Sequence, residues 1–141
     1  MEKQDIVIEC IFNTTRQEVW RAITQKERMQ KWYFDLPEFR PEVGFKFTFF
    51  GGNPNDTQYK HVCKIIEAIP ERKLKYSWEY EGYRGTSLVT FELFDEKDDT
   101  RLKLTHSGVD AFPQENDLSF HNFEAGWDYI INTSLKDFLE T

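Results

Sequence analysis

Leu74-Lys75-Tyr76-Ser77-Trp78-Glu79-Tyr80, Val89-Thr90-Phe91-Glu92-Leu93 and Thr100-Arg101-Leu102-Lys103-Leu104-Thr105-His106 decide the fold. In each stretch large apolar residues alternate with polar ones, the period of a half-buried strand. Gly82 to Gly85 closes a hairpin between the first two, and Asp95-Glu96-Lys97-Asp98-Asp99 is a solvated tip between the second and third. Strands joined by such short turns must be antiparallel, because a parallel pair needs a long crossover. Leu74, Tyr76, Trp78 and Tyr80 share one face, as do Val89, Phe91 and Leu93, and as do Leu102, Leu104 and His106.

Working outward, Pro70-Glu71-Arg72-Lys73 is a turn, and Thr57–Ile69 is a long β-rich run before it. Its inward face is ambiguous: Val62, Lys64 and Ile66 compete with His61, Cys63 and Ile65, and a bulge would resolve the conflict. Phe45-Lys46-Phe47-Thr48-Phe49 is a further strand with three phenylalanines on one face. Pro37, Pro41 and Gly44 make turns ahead of it, and Gly51-Gly52-Asn53-Pro54-Asn55 makes one after it. Asp5–Phe12 reads as the first strand, with Ile6, Ile8, Cys10 and Phe12 on one face. Thr15-x-x-Glu18 fits a capping box for a short helix carrying Val19, Trp20 and Ile23. A second short helix is expected over Lys26–Trp32. After a loop at Gly108–Asp117, Phe120, Phe123, Trp127, Ile130, Ile131, Ser134, Leu135 and Phe138 recur at helical spacing in one long helix. One strand, two short helices, about five strands and one long helix make an α+β chain.

The 141 residues are expected to form a single domain, large enough to fold without disulfides or metal. Cys10 and Cys63 make no disulfide framework. No run of about 18 apolar residues could span a membrane, and Met1 to Cys10 has no signal-peptide pattern. A cytoplasmic protein is therefore expected. The net charge is −7, and from Asp110 onward there are seven acids against one base, Lys136. Such a face repels phosphates, so nucleic acid is not an expected partner, whereas a basic protein would be tolerated there. Phe, Tyr and Trp number 13, 6 and 4. So many rings either fill a core or line a ligand cavity.

The ordered motifs carry a resemblance. Glu18-Val19-Trp20-x-Ala22-Ile23-Thr24 with Trp32, Leu74-x-Tyr76-x-Trp78, Val89-Thr90-Phe91-Glu92-Leu93, Thr100-Arg101-Leu102-x-Leu104-Thr105-His106-Ser107-Gly108 and Gly126-Trp127 span nearly the whole chain. Together they resemble the helix-grip (START-like, SRPBCC) superfamily, and within it the homologues of the C-terminal domain of the heat-shock-protein ATPase activator. The resemblance implies a curved antiparallel sheet wrapped around a long C-terminal helix, with an apolar ligand held between them in many members. In the eukaryotic activator a separate N-terminal domain contacts the chaperone. Because the sequence opens on the first strand, ATPase activation is not an expected function.

Three functions are expected in order. The first is binding of an apolar or amphipathic small molecule, with Phe47, Phe49, Tyr76, Trp78, Tyr80, Phe91, His106, Trp127 and Ile131 lining the cavity. Buried Tyr and Trp carry a polar atom that wants a partner, which suits a ligand with one or two oxygens on an apolar body. The Gly51–Asn55 turn and the Gly108–Asp117 loop are the expected gate. The second is a chaperone-associated or stress-related interaction module whose acidic face meets a basic partner. The third is a cofactor-free cyclase or hydratase acting on an aromatic or polyketide-like substrate. His106 would serve as polar anchor or general acid/base, unless it is a structural histidine bonded to a carbonyl.

No cofactor or metal is expected. There is no Gly-x-Ser-x-Gly, no phosphate-cradling loop and no His-Glu-x-x-His. His121, Glu124 and Asp128 share a helix flank, read as solvated and acidic, and His61 with Cys63 is half a metal site without a second half.

Overall fold

The computed structural model describes residues 5–52, 58–113 and 118–140. The alternating stretches form strands where they are expected. β1 is Ile6–Phe12, β2 Lys46–Gly52, β3 Gln58–Ile69, β4 Lys73–Tyr80, β5 Ser87–Glu96 and β6 Asp99–Ser107. All neighbours pair antiparallel in the order β1-β6-β5-β4-β3-β2. The chain thus meanders from β2 to β6, and β1 closes the far edge against β6. The sheet curves around the C-terminal helix, the α+β helix-grip arrangement. No helix among the described residues is long and apolar enough to cross a membrane.

Between β1 and β2 lie the two short helices, α1 (Arg16–Thr24) and α2 (Lys26–Trp32). Thr15 caps α1 by accepting from the Glu18 backbone N–H. The return half of the capping box is not made: Arg21 and Arg28 take the Glu18 carboxylate at 2.9 and 3.1 Å. Trp32 locks α2 to α1, since its indole donates to the Ala22 carbonyl at 2.8 Å.

A bulge settles β3. The β3–β4 register slips between Ile65, paired with Tyr76, and Glu67, paired with Lys75. His61, Cys63 and Ile65 are buried before it, while Ile66 is 44% exposed. Two periods cannot both hold along one strand, and the extra residue changes the face from odd to even positions.

The C-terminal helix is not uniform. α3 (Phe120–Tyr129) opens on a Ser119 cap, a π-helical segment runs over Ile130–Leu135, and α4 (Lys136–Glu140) finishes it. Phe123, Trp127, Ile131 and Leu135 are its buried residues, each four after the last. An α-helix turns about 100° per residue, so four-residue steps drift by about 40° each. The wider π turn takes that drift back and keeps the four in line against the sheet. Ser134 fastens the segment to α2 by donating to the Trp32 carbonyl at 2.7 Å.

Gly85 shapes the β4–β5 connection. Its φ is +108°, and a Cβ there would come 2.6 Å from the Ala111 carbonyl oxygen and 2.8 Å from the Phe112 ring. Only glycine permits both that backbone and that approach. Gly85→Ala is expected to cost about 1–3 kcal/mol. Urea unfolding checks this: an unchanged midpoint would remove the argument.

Candidate functional site

All nine residues expected to line a cavity are buried and lie between the sheet's concave face and the C-terminal helix. Phe47 and Phe49 come from β2, Tyr76, Trp78 and Tyr80 from β4, Phe91 from β5, His106 from β6, and Trp127 and Ile131 from the helix. Strand alternation aims the first seven, and the four-residue stripe aims the last two. Their rings touch across the layers, Trp78 and Trp127 lying 5.6 Å apart and Phe91 and Trp127 6.2 Å, and along the sheet, where Phe47 and Tyr76 lie 5.1 Å apart. Trp78 is the hub, meeting Phe49, His61, Tyr76, Tyr80, His106 and Trp127.

His106 stands in a closed relay. The Trp127 indole N–H donates to its Nδ1 at 2.9 Å, and its Nε2 lies 2.7 Å from Ser87 Oγ. Ser87 Oγ in turn donates to the Trp78 carbonyl at 3.1 Å. An indole N–H can only donate and the serine proton is already used, so Nδ1 is bare and Nε2 carries the proton. Both ring nitrogens are therefore occupied. Burial lowers the His106 pKa to about 3, which keeps the ring neutral. A neutral imidazole with no free nitrogen is a poor acid or base in this state.

His61 is also neutral. Burial lowers its pKa to about 4, against smaller raising contributions from the Tyr59 and Phe49 backbone. Its Nδ1 donates to the Tyr59 carbonyl at 3.0 Å, and its ring stacks on Phe49 at 4.4 Å. Cys63 beside it is buried, and desolvation raises its pKa. Among the described residues no three His, Cys, Asp or Glu side chains are placed to hold a metal. His121, Glu124 and Asp128 line an open groove outside β1 with Ile8 and Ala125, on the solvent side of the helix.

The outer cover of the site is the part that sequence reasoning missed. Tyr33 and Phe34 follow α2 in an irregular segment and lie over the β2–β3 end of the ring cluster. Phe34 stacks on Phe49 at 4.4 Å, and Tyr33 stacks on Trp127 at 6.1 Å. Tyr33 is half-buried, and its hydroxyl lies 2.7 Å from the Tyr76 hydroxyl. Burial raises both pKa values well above the usual phenol range. The run Trp32-Tyr33-Phe34 ahead of Pro37 was the available signal. Phe112 and Phe123 add a second flank, stacked at 5.8 Å beside Tyr80.

One buried polar side-chain atom among the described residues has no partner: the Trp78 indole N–H. Trp78 is only 4% exposed, so water does not reach that donor freely. An unmade hydrogen bond of this kind costs about 1–3 kcal/mol.

Of the expected gate, Gly51 and Gly52 end β2, and residues 53–55 fall outside the described residues. Across the other loop, Val109–Ala111 forms a 3-10 turn with Val109 and Phe112 buried, and residues 114–117 fall outside.

Solved structures share this architecture. The Mll3558 protein of Rhizobium loti superposes with a TM-score of 0.84 at 21% identity, over 98% of each chain. CalU16 of Micromonospora echinospora is 26% identical, with a TM-score of 0.75 over 99% of this chain and 78% of its own. The BH1534 protein of Bacillus halodurans is 23% identical, with a TM-score of 0.76 over 99% of this chain and 100% of its own. No curated protein matches the sequence. The profile described as Activator of Hsp90 ATPase homolog 1-like protein matches residues 13–140, nearly the whole sheet-and-helix unit built above, and the chain belongs to that family.

Proposed function

We propose that this protein binds an apolar or amphipathic small molecule in the ring-lined space between the sheet and the C-terminal helix. The observation that carries the reading is the unpartnered Trp78 indole inside that space. A packed core normally satisfies its polar atoms, and an exception points to a missing partner. The lining fits the same reading, since ligand sites are mostly apolar and aromatic with few polar groups.

The rings pack closely, so a ligand enters by displacing part of the cover. Tyr33 and Phe34 are the residues to move, because they sit in no helix or strand and flank the sheet's open side. Trp127, His106 and Ser87 form the fixed wall, tied by their relay. That relay leaves His106 a positioning part of the wall and weighs against the cyclase or hydratase reading.

Native mass spectrometry of gently purified protein tests the proposal. The expected result is a small adduct that denaturation releases as an apolar or amphipathic compound. A clean apo mass, together with no thermal shift from a panel of neutral aromatic compounds, would overturn it.

A further inference from the structure

We propose that the ligand is an uncharged, flat aromatic compound bearing a carbonyl or similar oxygen, which accepts from the Trp78 indole N–H, and that carboxylates are rejected. This rests on the binding function proposed above and names the chemistry it selects.

Three observations converge on it. First, the buried polar or charged residues described are Thr24, His61, Ser87, Thr100 and His106. No Lys, Arg, Asp or Glu is among them, so an anion entering the space would meet no cation. An ionised carboxylate pays heavily for such burial unless it is paired. Second, the atom left wanting is a donor, not an acceptor. Moving Tyr33 aside also frees the Tyr76 hydroxyl, a second group able to donate. His61 Nδ1 and both His106 nitrogens are already engaged. Third, the surrounding groups stay neutral at physiological pH. Burial lowers His61 to about 4 and His106 to about 3, and raises both tyrosines. The site therefore offers hydrogen-bond donors among ring faces and no net charge. Ring faces favour flat partners in stacked or edge-on contact.

Three probes built on one ring system separate these features: 2-acetylnaphthalene, 2-ethylnaphthalene and 2-naphthoate. They are titrated into ¹⁵N-labelled protein while the four tryptophan indole signals are followed, with the Trp78 signal assigned by its loss in Trp78→Phe. The expected result is a downfield shift of the Trp78 indole proton with the ketone alone. The ketone should bind about three- to tenfold more tightly than the ethyl compound. The naphthoate should bind at least about tenfold more weakly than the ketone. In Trp78→Phe the ratio of ketone to ethyl affinity should fall to about one, whatever the absolute affinities. If that variant does not fold, the Trp78 signal is assigned in the wild type by through-space contacts to its ring neighbours Phe49 and His106, and its shift with the three affinities decides the matter.

Naphthoate binding as tight as the ketone, or a ketone that leaves the Trp78 signal in place, overturns the inference and leaves the small-molecule binding reading standing. Failure of all three probes to move any interior resonance overturns the inference, and with a clean native mass it overturns the binding reading as well.

Discussion

Between pH 6.5 and pH 4.5 the folded state is expected to lose about 5 kcal/mol of stability. The cause is the two buried imidazoles. Desolvation lowers His61 from its ordinary 6.5 to about 4, and His106 from 6.5 to about 3. Below pH 6.5 the unfolded chain takes up a proton on each, and the folded chain does not. Acid therefore favours the unfolded state, and the loss grows until the pH reaches the folded values. At pH 4.5 each histidine contributes about 2–3 kcal/mol of that loss. Total stabilities run at about 5–15 kcal/mol, so such a loss can unfold a protein of this size. Urea midpoints at pH 7 and pH 4.5, read by circular dichroism, check it. His61→Phe should recover about half of the acid effect, because a phenyl ring keeps the stack on Phe49 and cannot titrate. A midpoint that stays flat across the range would show that the histidines are not held neutral.

Trp127→Ala is expected to be the most damaging single substitution in the helix, costing about 4–6 kcal/mol. The indole is 2% exposed and touches Tyr33, Trp78, Phe91 and His106. Its removal leaves a cavity between helix and sheet, and takes from His106 Nδ1 the donor it has among the described residues. Trp127→Phe separates the two effects: it keeps most of the packing and breaks the relay, at about 1–3 kcal/mol. Denaturant unfolding of both variants is the measurement. Equal losses would mean that the hydrogen bond to His106, not ring volume, holds the helix in place. Losses below about 1 kcal/mol for both would remove Trp127 from the core.

Much of the site was readable because strand alternation is a local property. Tyr76, Trp78, Tyr80, Phe91 and His106 point inward for the same reason that Lys75, Ser77 and Thr105 do not: successive side chains leave a strand on opposite sides. Trp127 and Ile131 followed from helical spacing. His61 could not be assigned to a face, because the bulge after Ile65 is set by pairing with β4 and not by the residues of β3 alone.

The sequence by itself determined the α+β class, the antiparallel meander, the two short helices and the inward set of rings. Each depends on neighbours a few residues apart, on periodicity, or on motifs that the family shares in order. Only the tertiary structure decided the pairing of β1 with β6, the π segment in the last helix, the cover made by Tyr33 and Phe34, and the relay through Ser87, His106 and Trp127. Those features join residues far apart in the chain, and a hydrogen bond or ring contact between them exists only once the sheet has curved around the helix. The same holds for Trp78: its place on an inward strand face is written in Leu74 to Tyr80, but whether its N–H finds a partner depends on every element that packs against it.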